Sequence, residues 1–186
     1  RLNQARQGNY VVDEKRSAVL TAQAKSFPDN TELEAMLNFS GPGEGNYVRE
    51  VAADPKNLRL HQHISLVRLP ENYQKRVYHP YSGGFDIETM DFGTPLADSI
   101  LVHWQVRHRL EKIDPSAAVS RVKKPIVYYL DRGTPEPVRS ALLDGARWWA
   151  SAFEKAGFKD AYRVEMLPEG ADPMDIRYNT IMWVHR

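Results

Sequence analysis

Hydrophobic and polar residues alternate along much of the first 110 positions of the chain, which is the pattern of half-buried β-strands. The alternating segments are residues 17–27, 33–39, 58–66 and 100–110. Residues 33–39 also fit a helix, because Leu33, Met36 and Leu37 recur at three- and four-residue steps. Pro, Gly, Asn and Asp separate the segments, so the pattern predicts an antiparallel sandwich or barrel-like sheet.

The pattern changes after Asp114-Pro115. Residues 115–125 are small, polar and basic, and this composition is typical of a linker. Residues 126–130 are β-branched and aromatic with apolar side chains on both faces, which favours a buried strand of a parallel or mixed sheet. Two further strands are predicted at residues 162–167 and 176–184.

The longest predicted helix covers residues 135–156. Thr134 is suited to the N-cap and Gly157 to the C-terminal cap. Apolar residues recur between them at helical spacing and include Trp148 and Trp149. A stripe with two adjacent tryptophans predicts that this helix packs against a broad surface, most simply a sheet. Strand, helix and strand in this order predict a right-handed crossover.

Composition excludes several classes of protein. The chain has 186 residues, a formal net charge of +1 and no cysteine, so disulfide frameworks, thiolate zinc sites and cysteine nucleophiles are excluded. No apolar run approaches the ~18 residues of a membrane-spanning helix. The basic runs 107–109 and 121–124 are short and flanked by acidic residues, which favours a solvated strand face and a linker over a nucleic-acid partner.

The six histidines were tested for metal-binding patterns. None is followed by glutamate, so the helical zinc-peptidase motif is absent. His61 and His63 lie two apart on a predicted strand and would share a face, as two ligands of a metal site do. The alternative is a pair of polar side chains on the solvated face, since no carboxylate is close in sequence and a third ligand, His79 or His103, would have to arrive by folding. The residues alone therefore predict no catalytic, cofactor-binding or metal-binding residue.

Two glycine-containing loops were also considered. Ser82 has Gly84 after it but Pro80 before it, so the nucleophile-elbow pattern fails and a structural loop is predicted. The glycines within residues 41–45 form no dinucleotide-binding fingerprint, because position 46 is asparagine and no helix is predicted to follow.

Longer motifs resemble a known family. The stretches that carry the likeness in the second part of the chain are residues 124–137, 145–149, 152–158 and 171–179. Together they resemble a bacterial family of zinc-dependent metallopeptidases of the metzincin type. Residues 13–17, 27–32 and 107–112 look like the uncharacterised β-rich domain that precedes the peptidase domain in that family.

The resemblance implies an α+β chain with two parts. Residues 1–122 would be a β-rich accessory domain, and residues 123–186 the strand-helix-strand-strand start of a metzincin-type catalytic domain that stops before the zinc helix. The intact parent would use zinc to hydrolyse a peptide or protein substrate, while this fragment is expected to bind no zinc and to be inactive. The family also suggests export to the periplasm or beyond.

The apolar run at residues 181–184 predicts a strand that needs a partner. We expect it to be covered by the downstream remainder of the same polypeptide or by self-association. The alternative function, from another class, is a non-catalytic module in which the β-rich part binds a peptide, a glycan or the cell envelope, or inhibits the enzyme by covering its cleft.

Overall fold

The computed structural model describes residues 4–184, which divide into two compact units. Unit 1 comprises residues 4–68 and 174–177, and unit 2 comprises residues 69–173 and 178–184. The strands are β1 (Val11–Val12), β2 (Ala18–Val19), β3 (Lys25–Ser26), β4 (Asn30–Ser40), β5 (Asn57–Val67), β6 (Asp86–Met90), β7 (Leu101–Gln105), β8 (Ser120–Arg121), β9 (Ile126–Leu130), β10 (Phe158–Lys159), β11 (Tyr162–Met166) and β12 (Asn179–Ile181). The helices are α1 (Asn46–Val51), α2 (Val138–Arg147) and α3 (Trp149–Lys155). The predicted α+β, strand-rich class is confirmed.

Unit 1 is built on the long antiparallel pair β4–β5. Its register runs from Asn30 opposite Val67 to Ser40 opposite Asn57, and β1, β2 and β3 pair with the other edge of β4. The strand interpretation of residues 33–39 is therefore right. The single strand predicted for residues 17–27 is wrong, because a 3₁₀ turn separates β2 from β3. The alanines of that segment are exposed, so their alternation marked no buried face.

A small apolar core in unit 1 joins three elements. Tyr10, Val48 and Leu58 are buried together, with Phe39 and Ala52 packed against them. Val48 lies on α1, a six-residue helix directly after the glycine-rich loop. The prediction that no helix follows these glycines is wrong, because a helix this short spans too few residues to show a 3.6-residue period.

Unit 2 contains the sheet predicted from the apolar run 126–130. β9 lies between β11 and β12, and all three strands are parallel. Ile126, Leu130, Val164 and Leu167 are buried, as expected for a sheet with covered faces. β6 and β7 form a separate antiparallel pair, and β8 and β10 a short parallel one.

The third strand of this sheet is much shorter than predicted. It covers Asn179–Ile181 instead of residues 176–184. Residues 174–177 belong to unit 1, where the Met174 carbonyl and the Ile176 N–H bind the Asn30 side chain, so this segment is engaged outside the sheet. Residues 182–184 have no regular secondary structure.

The predicted helix 135–156 is two helices that begin later than expected. Pro137 disfavours the α conformation at the residue before it, and the first helical residue is Val138. The two helices are separated at Trp148. Its N–H donates to the Gly145 carbonyl, three residues back, at 3.3 Å, which interrupts the four-residue bonding of an α-helix. Gly157 follows α3 at φ +82°, and a β-carbon there would meet the Ala118 carbonyl oxygen at 2.3 Å, so glycine is required at this position.

The face that these helices bury is only partly the one predicted, since Leu142 and Phe153 of the apolar stripe are half-buried. α2 and α3 pack against β11, and α2 also contacts β9. The tryptophans of the predicted stripe are turned outward, with Trp148 78% and Trp149 65% exposed. Phe153 instead faces the sheet and stacks on Tyr162, with ring centres 5.4 Å apart. The residues of α2 and α3 that face the sheet lie mainly four positions apart, and this spacing leaves out the two tryptophans. The interpretation of both tryptophans as packing residues is therefore wrong.

Two other segments differ from the sequence interpretation. β7 ends at Gln105, well short of the strand predicted to residue 110. Residues 115–125 are not a free linker, since β8 pairs with β10 and Val122 is buried.

The compact units meet in sequence between residues 68 and 69, whereas the family resemblance divides the chain at residue 122. The domain boundary at 122 stays a prediction. No helix within residues 4–184 has the length and apolar character needed to cross a bilayer.

Candidate functional site: a histidine between two carboxylates

The polar face of the β4–β5 pair carries the densest set of ionisable groups that hydrogen-bond to one another. Residues two apart on a strand share a face. The register puts Glu34 opposite His63 and Glu32 opposite Ser65, so two acids face an imidazole and a hydroxyl. Leu33 and its apolar neighbours on both strands lie on the other face. We refer to Glu32, Glu34, His63 and Ser65 as the carboxylate–histidine cluster.

The imidazole of His63 bridges the two carboxylates. Its Nδ1 lies 2.7 Å from Glu34 Oε1 and its Nε2 lies 2.5 Å from Glu32 Oε2. The Ser65 hydroxyl donates to the same Glu32 oxygen at 2.5 Å. Because carboxylates accept at both ring nitrogens, the arrangement suits the imidazolium form, which donates from both.

Hydrogen bonding shifts both charged partners toward their ionised forms, against the opposing effect of burial. Glu32 is 3% exposed, yet hydrogen bonds from Ser65, then Asn30 and His63, hold the pKa of its carboxyl below the ordinary value despite burial. Hydrogen bonds to Glu34 and then Glu32 raise the pKa of His63. The cluster therefore holds an imidazolium paired with two carboxylates, and it links the neighbouring strands β4 and β5.

The cluster is not arranged as a nucleophilic triad. Ser65 Oγ lies 3.3 Å from His63 Nε2, but that nitrogen is already bonded to Glu32 and the serine hydroxyl donates to the same carboxylate. A general base must have a free lone pair facing the nucleophile. An imidazolium engaged at both nitrogens has none, so His63 does not activate Ser65.

The hypothesis that His61 and His63 bind a metal did not include carboxylates, but the partners of His63 in the structure are Glu32 and Glu34. Both nitrogens of His63 face carboxylates on opposite sides of the ring, so the two acids and His63 cannot share one ion. His61 lies on the same face of β5, opposite Met36. No carboxylate is close to these histidines in sequence, but strand pairing brings Glu32 and Glu34 next to His63.

The other proposed ligands have local partners. His79 Nδ1 accepts the Tyr81 N–H at 3.2 Å, next to the 3₁₀ turn that contains Ser82, and His103 Nδ1 lies 2.6 Å from Asp86 Oδ2. Within residues 4–184, no three His, Asp or Glu side chains are placed to share a metal ion. That the chain binds no zinc stays a prediction, which a measurement of its metal content can test.

Asn30 connects the cluster to a distant segment of the chain. Its amide nitrogen donates both to Glu32 and, at 2.8 Å, to the Met174 carbonyl. Its amide oxygen accepts the Ile176 N–H at 3.2 Å. The buried amide of Asn30 thus connects the β4–β5 pair to Met174 and Ile176, which follow it by 144 and 146 positions. No local sequence signal marks Asn30 for this role.

A second buried carboxylate stabilises that distant segment. Asp175 is buried, and the Arg177 guanidinium contacts its two oxygens at 2.6–3.0 Å. This contact lowers the pKa of Asp175 against the opposing effect of burial. The bidentate pair fixes the turn that Asn30 binds.

The basic residues after β7 have structural partners. The Arg107 and Arg109 guanidinium carbons lie 4.8 and 5.3 Å from the ring centre of Tyr73. Arg107 donates to the Gln74 carbonyl at 2.7 Å and Arg109 to the Glu71 carbonyl at 3.3 Å. These side chains fasten the loop after β7, so the strand part of the prediction is wrong, while Arg109 is exposed as predicted.

Comparison with known proteins gives one match. The family model described as "Domain of unknown function (DUF5117)" matches residues 1–113. No curated protein and no solved structure matches the chain.

Proposed function

The chain belongs to the DUF5117 family, a domain of unknown function, and from that premise we propose that it is the amino-terminal, non-catalytic part of a zinc-dependent metalloendopeptidase. In this proposal residues 1–122 are the accessory domain. Residues 123–186 supply the first strands and helices of the peptidase core, and the zinc ligands and the general base come from polypeptide outside this chain.

The observation that supports the proposal is the parallel sheet of unit 2. Strand β9, helices α2 and α3, strand β11 and strand β12 occur in this order, with the two-residue strand β10 between α3 and β11. β9 is the central strand of the sheet, and the helices pack on β9 and β11. This is the strand-helix-strand-strand order that the family resemblance implies. Zinc in such enzymes activates a water molecule for attack on a peptide carbonyl.

The chain's own contribution would be a rigid support. Leu130 has no exposed surface, and Ile126 and Val164 are almost fully buried beside it. The loop after β9 is fixed as well, because the Asp131 N–H donates to the Ile181 carbonyl at 3.0 Å. A site built on fixed strands keeps its reacting groups in place more accurately than one built on mobile loops.

The partner in this proposal is the remainder of the same polypeptide. β12 is paired with β9 along one side, and the apolar side chains of Met182 and Val184 are exposed just beyond it. A following strand could pair with β12 and cover them. Self-association of two copies through residues 181–184 is the competing arrangement, and native mass spectrometry distinguishes the two.

The test compares this 186-residue chain with the complete product of its gene. We expect the complete product to hold one equivalent of zinc after exhaustive dialysis and to cleave casein, and the 186-residue chain to do neither. Zinc content is measured by elemental mass spectrometry. His61→Ala/His63→Ala in both proteins is the matched control and should change neither value.

Two outcomes would overturn the proposal. One is a complete product without zinc-dependent peptidase activity. The other is stoichiometric zinc in the 186-residue chain that disappears in the double histidine variant, which would place the metal on β5.

Exposed aromatic side chains favour a second candidate, the non-catalytic interaction module. Tyr81, Phe85 and Phe92 are 93%, 84% and 82% exposed in unit 2, in and around the β6–β7 pair. Aromatic rings that remain in solvent are typical contacts for glycans and peptides. Retention on purified cell envelopes that is lost in Tyr81→Ser/Phe85→Ser, with peptidase activity absent from the complete product, would favour this function over the first.

A further inference from the structure

A shallow cavity of about 360 Å³ lies in unit 2 beside the amino-terminal ends of β9 and β11. Its lining residues are Arg121, Val122, Pro125, Lys159, Asp160 and Arg163. Three of these six side chains are cationic and one is anionic, so the lining carries an excess of two positive charges. The chain as a whole has a net charge of only +1, which makes this cavity a local concentration of positive charge.

The cations are brought together by strand pairing. In the parallel β8–β10 ladder, Arg121 and Lys159 are register partners, and Arg163 reaches the same cavity from β11. Like charges on paired positions repel one another and weaken the ladder. Asp160, 3.2 Å from Arg121, is the one carboxylate among the lining residues, and Glu165, outside the lining, lies 3.7 Å from Arg163, so two ion pairs offset part of this repulsion.

The backbone that presents Lys159 is held in place without any ligand. Asp160 has a left-handed φ of 54°, and its N–H donates to Glu154 Oε1 at 2.9 Å. The next residue, Ala161, is buried, and its carbonyl accepts the Ile126 N–H at 2.8 Å. Cationic groups on such a fixed backbone bind an anion with little additional ordering of the chain.

We propose that this cavity binds a doubly charged oxyanion group, the phosphate of a monoester. The forked guanidinium groups of Arg121 and Arg163 match the tetrahedral oxygens, and Lys159 supplies a third donor. Val122 and Pro125 form the apolar part of the lining, against which the body of the ester lies. The assignment does not depend on the proposed peptidase scaffold.

The experiment titrates the full 186-residue chain, labelled with ¹⁵N, and follows backbone amide shifts. The probes are inorganic phosphate, inorganic sulfate, a sugar phosphate and a sugar sulfate, with sodium chloride at equal ionic strength as the reference. We expect saturable shifts confined to residues 121–123 and 158–163 with the oxyanions and none with chloride. The sugar phosphate should bind more tightly than the singly charged sugar sulfate, and the reverse order would contradict the proposal.

Variants separate a site from diffuse charge. Lys159→Ala/Arg163→Ala removes two of the three cations and should weaken oxyanion binding by about tenfold or more. The matched control, Lys15→Ala/Lys56→Ala, removes the same charge from exposed positions of unit 1 and should leave the affinity within about twofold of the parent chain. Thermal unfolding of each variant verifies that the fold is intact.

The wild-type titration alone can overturn the proposal. Shifts that are no larger with phosphate and sulfate than with chloride would exclude a specific oxyanion site. An equal loss of affinity in the two double variants would show that the net charge of the chain, and not this cavity, attracts the anion.

Discussion

The β4–β5 pair of unit 1 and the β9-centred sheet of unit 2 are stabilised in opposite ways. The first is a long antiparallel pair whose buried groups on one face are charged or polar, with Glu32 and Asn30 both under 5% exposed. The second is a short parallel sheet whose buried groups are aliphatic, with Leu130 and Val164 at its centre. One region therefore depends on ionisation states, while the other depends on apolar area removed from water.

This difference indicates where each region tolerates change. Leu60, Ile64 and Leu66 on β5 are more than a third exposed, so the apolar face of the pair contributes less than its composition indicates. Removal of one buried charged partner leaves the other without compensation, which costs more than the loss of an exposed contact. Regional hydrogen exchange measured by mass spectrometry can follow both regions in one sample.

The largest effect is expected from Leu130→Ala. The side chain has no exposed surface, so truncation leaves a cavity and should destabilise the β9-centred sheet by about 2–5 kcal/mol. Leu66→Ala on β5, 58% exposed, is the control and should cost about 0.5 kcal/mol or less. Denaturant unfolding gives both values, and similar costs for the two variants would contradict the contrast between the regions.

Glu32→Gln should produce the next largest effect, confined to the β4–β5 pair. The neutral amide no longer pairs with the His63 imidazolium, and the expected cost is roughly 1–3 kcal/mol. The pKa of His63, measured by NMR titration, should fall because one of its two carboxylate partners is lost. Glu34→Gln is the matched variant, and an unchanged His63 pKa in both would show that the imidazole is not held between the acids.

A change of pH should alter the stability of the β4–β5 pair by less than these two substitutions do. The pair should lose stability at both an alkaline and an acid limit. The raised pKa of His63 means that its contribution is complete below the unfolded value of about 6.5 and is lost as pH rises through the folded value. The lowered pKa of Glu32 means that its contribution is complete above the unfolded value of about 4.3 and is lost as pH falls through the folded value.

Exchange protection of β4 and β5 should therefore be highest between these limits and decline on either side. His63→Gln should remove the decline at the alkaline side while it leaves the acid limit in place. Protection of β9 at the same pH values provides the internal reference, and an identical profile for both regions would contradict the assignment to the cluster.

The smallest effect is expected from Trp148→Ala/Trp149→Ala. Both indoles are mostly exposed, so the free energy of unfolding should change by no more than about 0.5 kcal/mol per residue. A loss of several kcal/mol would show that the tryptophans are buried, as the helical spacing alone predicts. Fluorescence quenching by iodide in the parent chain tests their exposure directly.

Several elements could be predicted from the local pattern of apolar and polar residues. Residues 58–66 alternate because β5 has two unlike faces, and residues 126–130 are uniformly apolar because β9 is covered on both sides. The helix predicted at 135–156 corresponds to α2 and α3, but the spacing did not show which face is buried. Helical spacing alone did not decide that Trp148 and Trp149 would face solvent.

The sequence by itself determined the α+β class, the long strands and the approximate position of α2 and α3, since these depend on neighbouring residues, but it did not reveal α1. Only the tertiary structure decided that Glu32 and Glu34 enclose His63, that Asn30 binds residues 174–176, and that Arg121, Lys159 and Arg163 share one cavity. The physical reason is that such contacts are fixed by strand register and chain topology. Register and topology join residues far apart in sequence and leave no periodic trace in it.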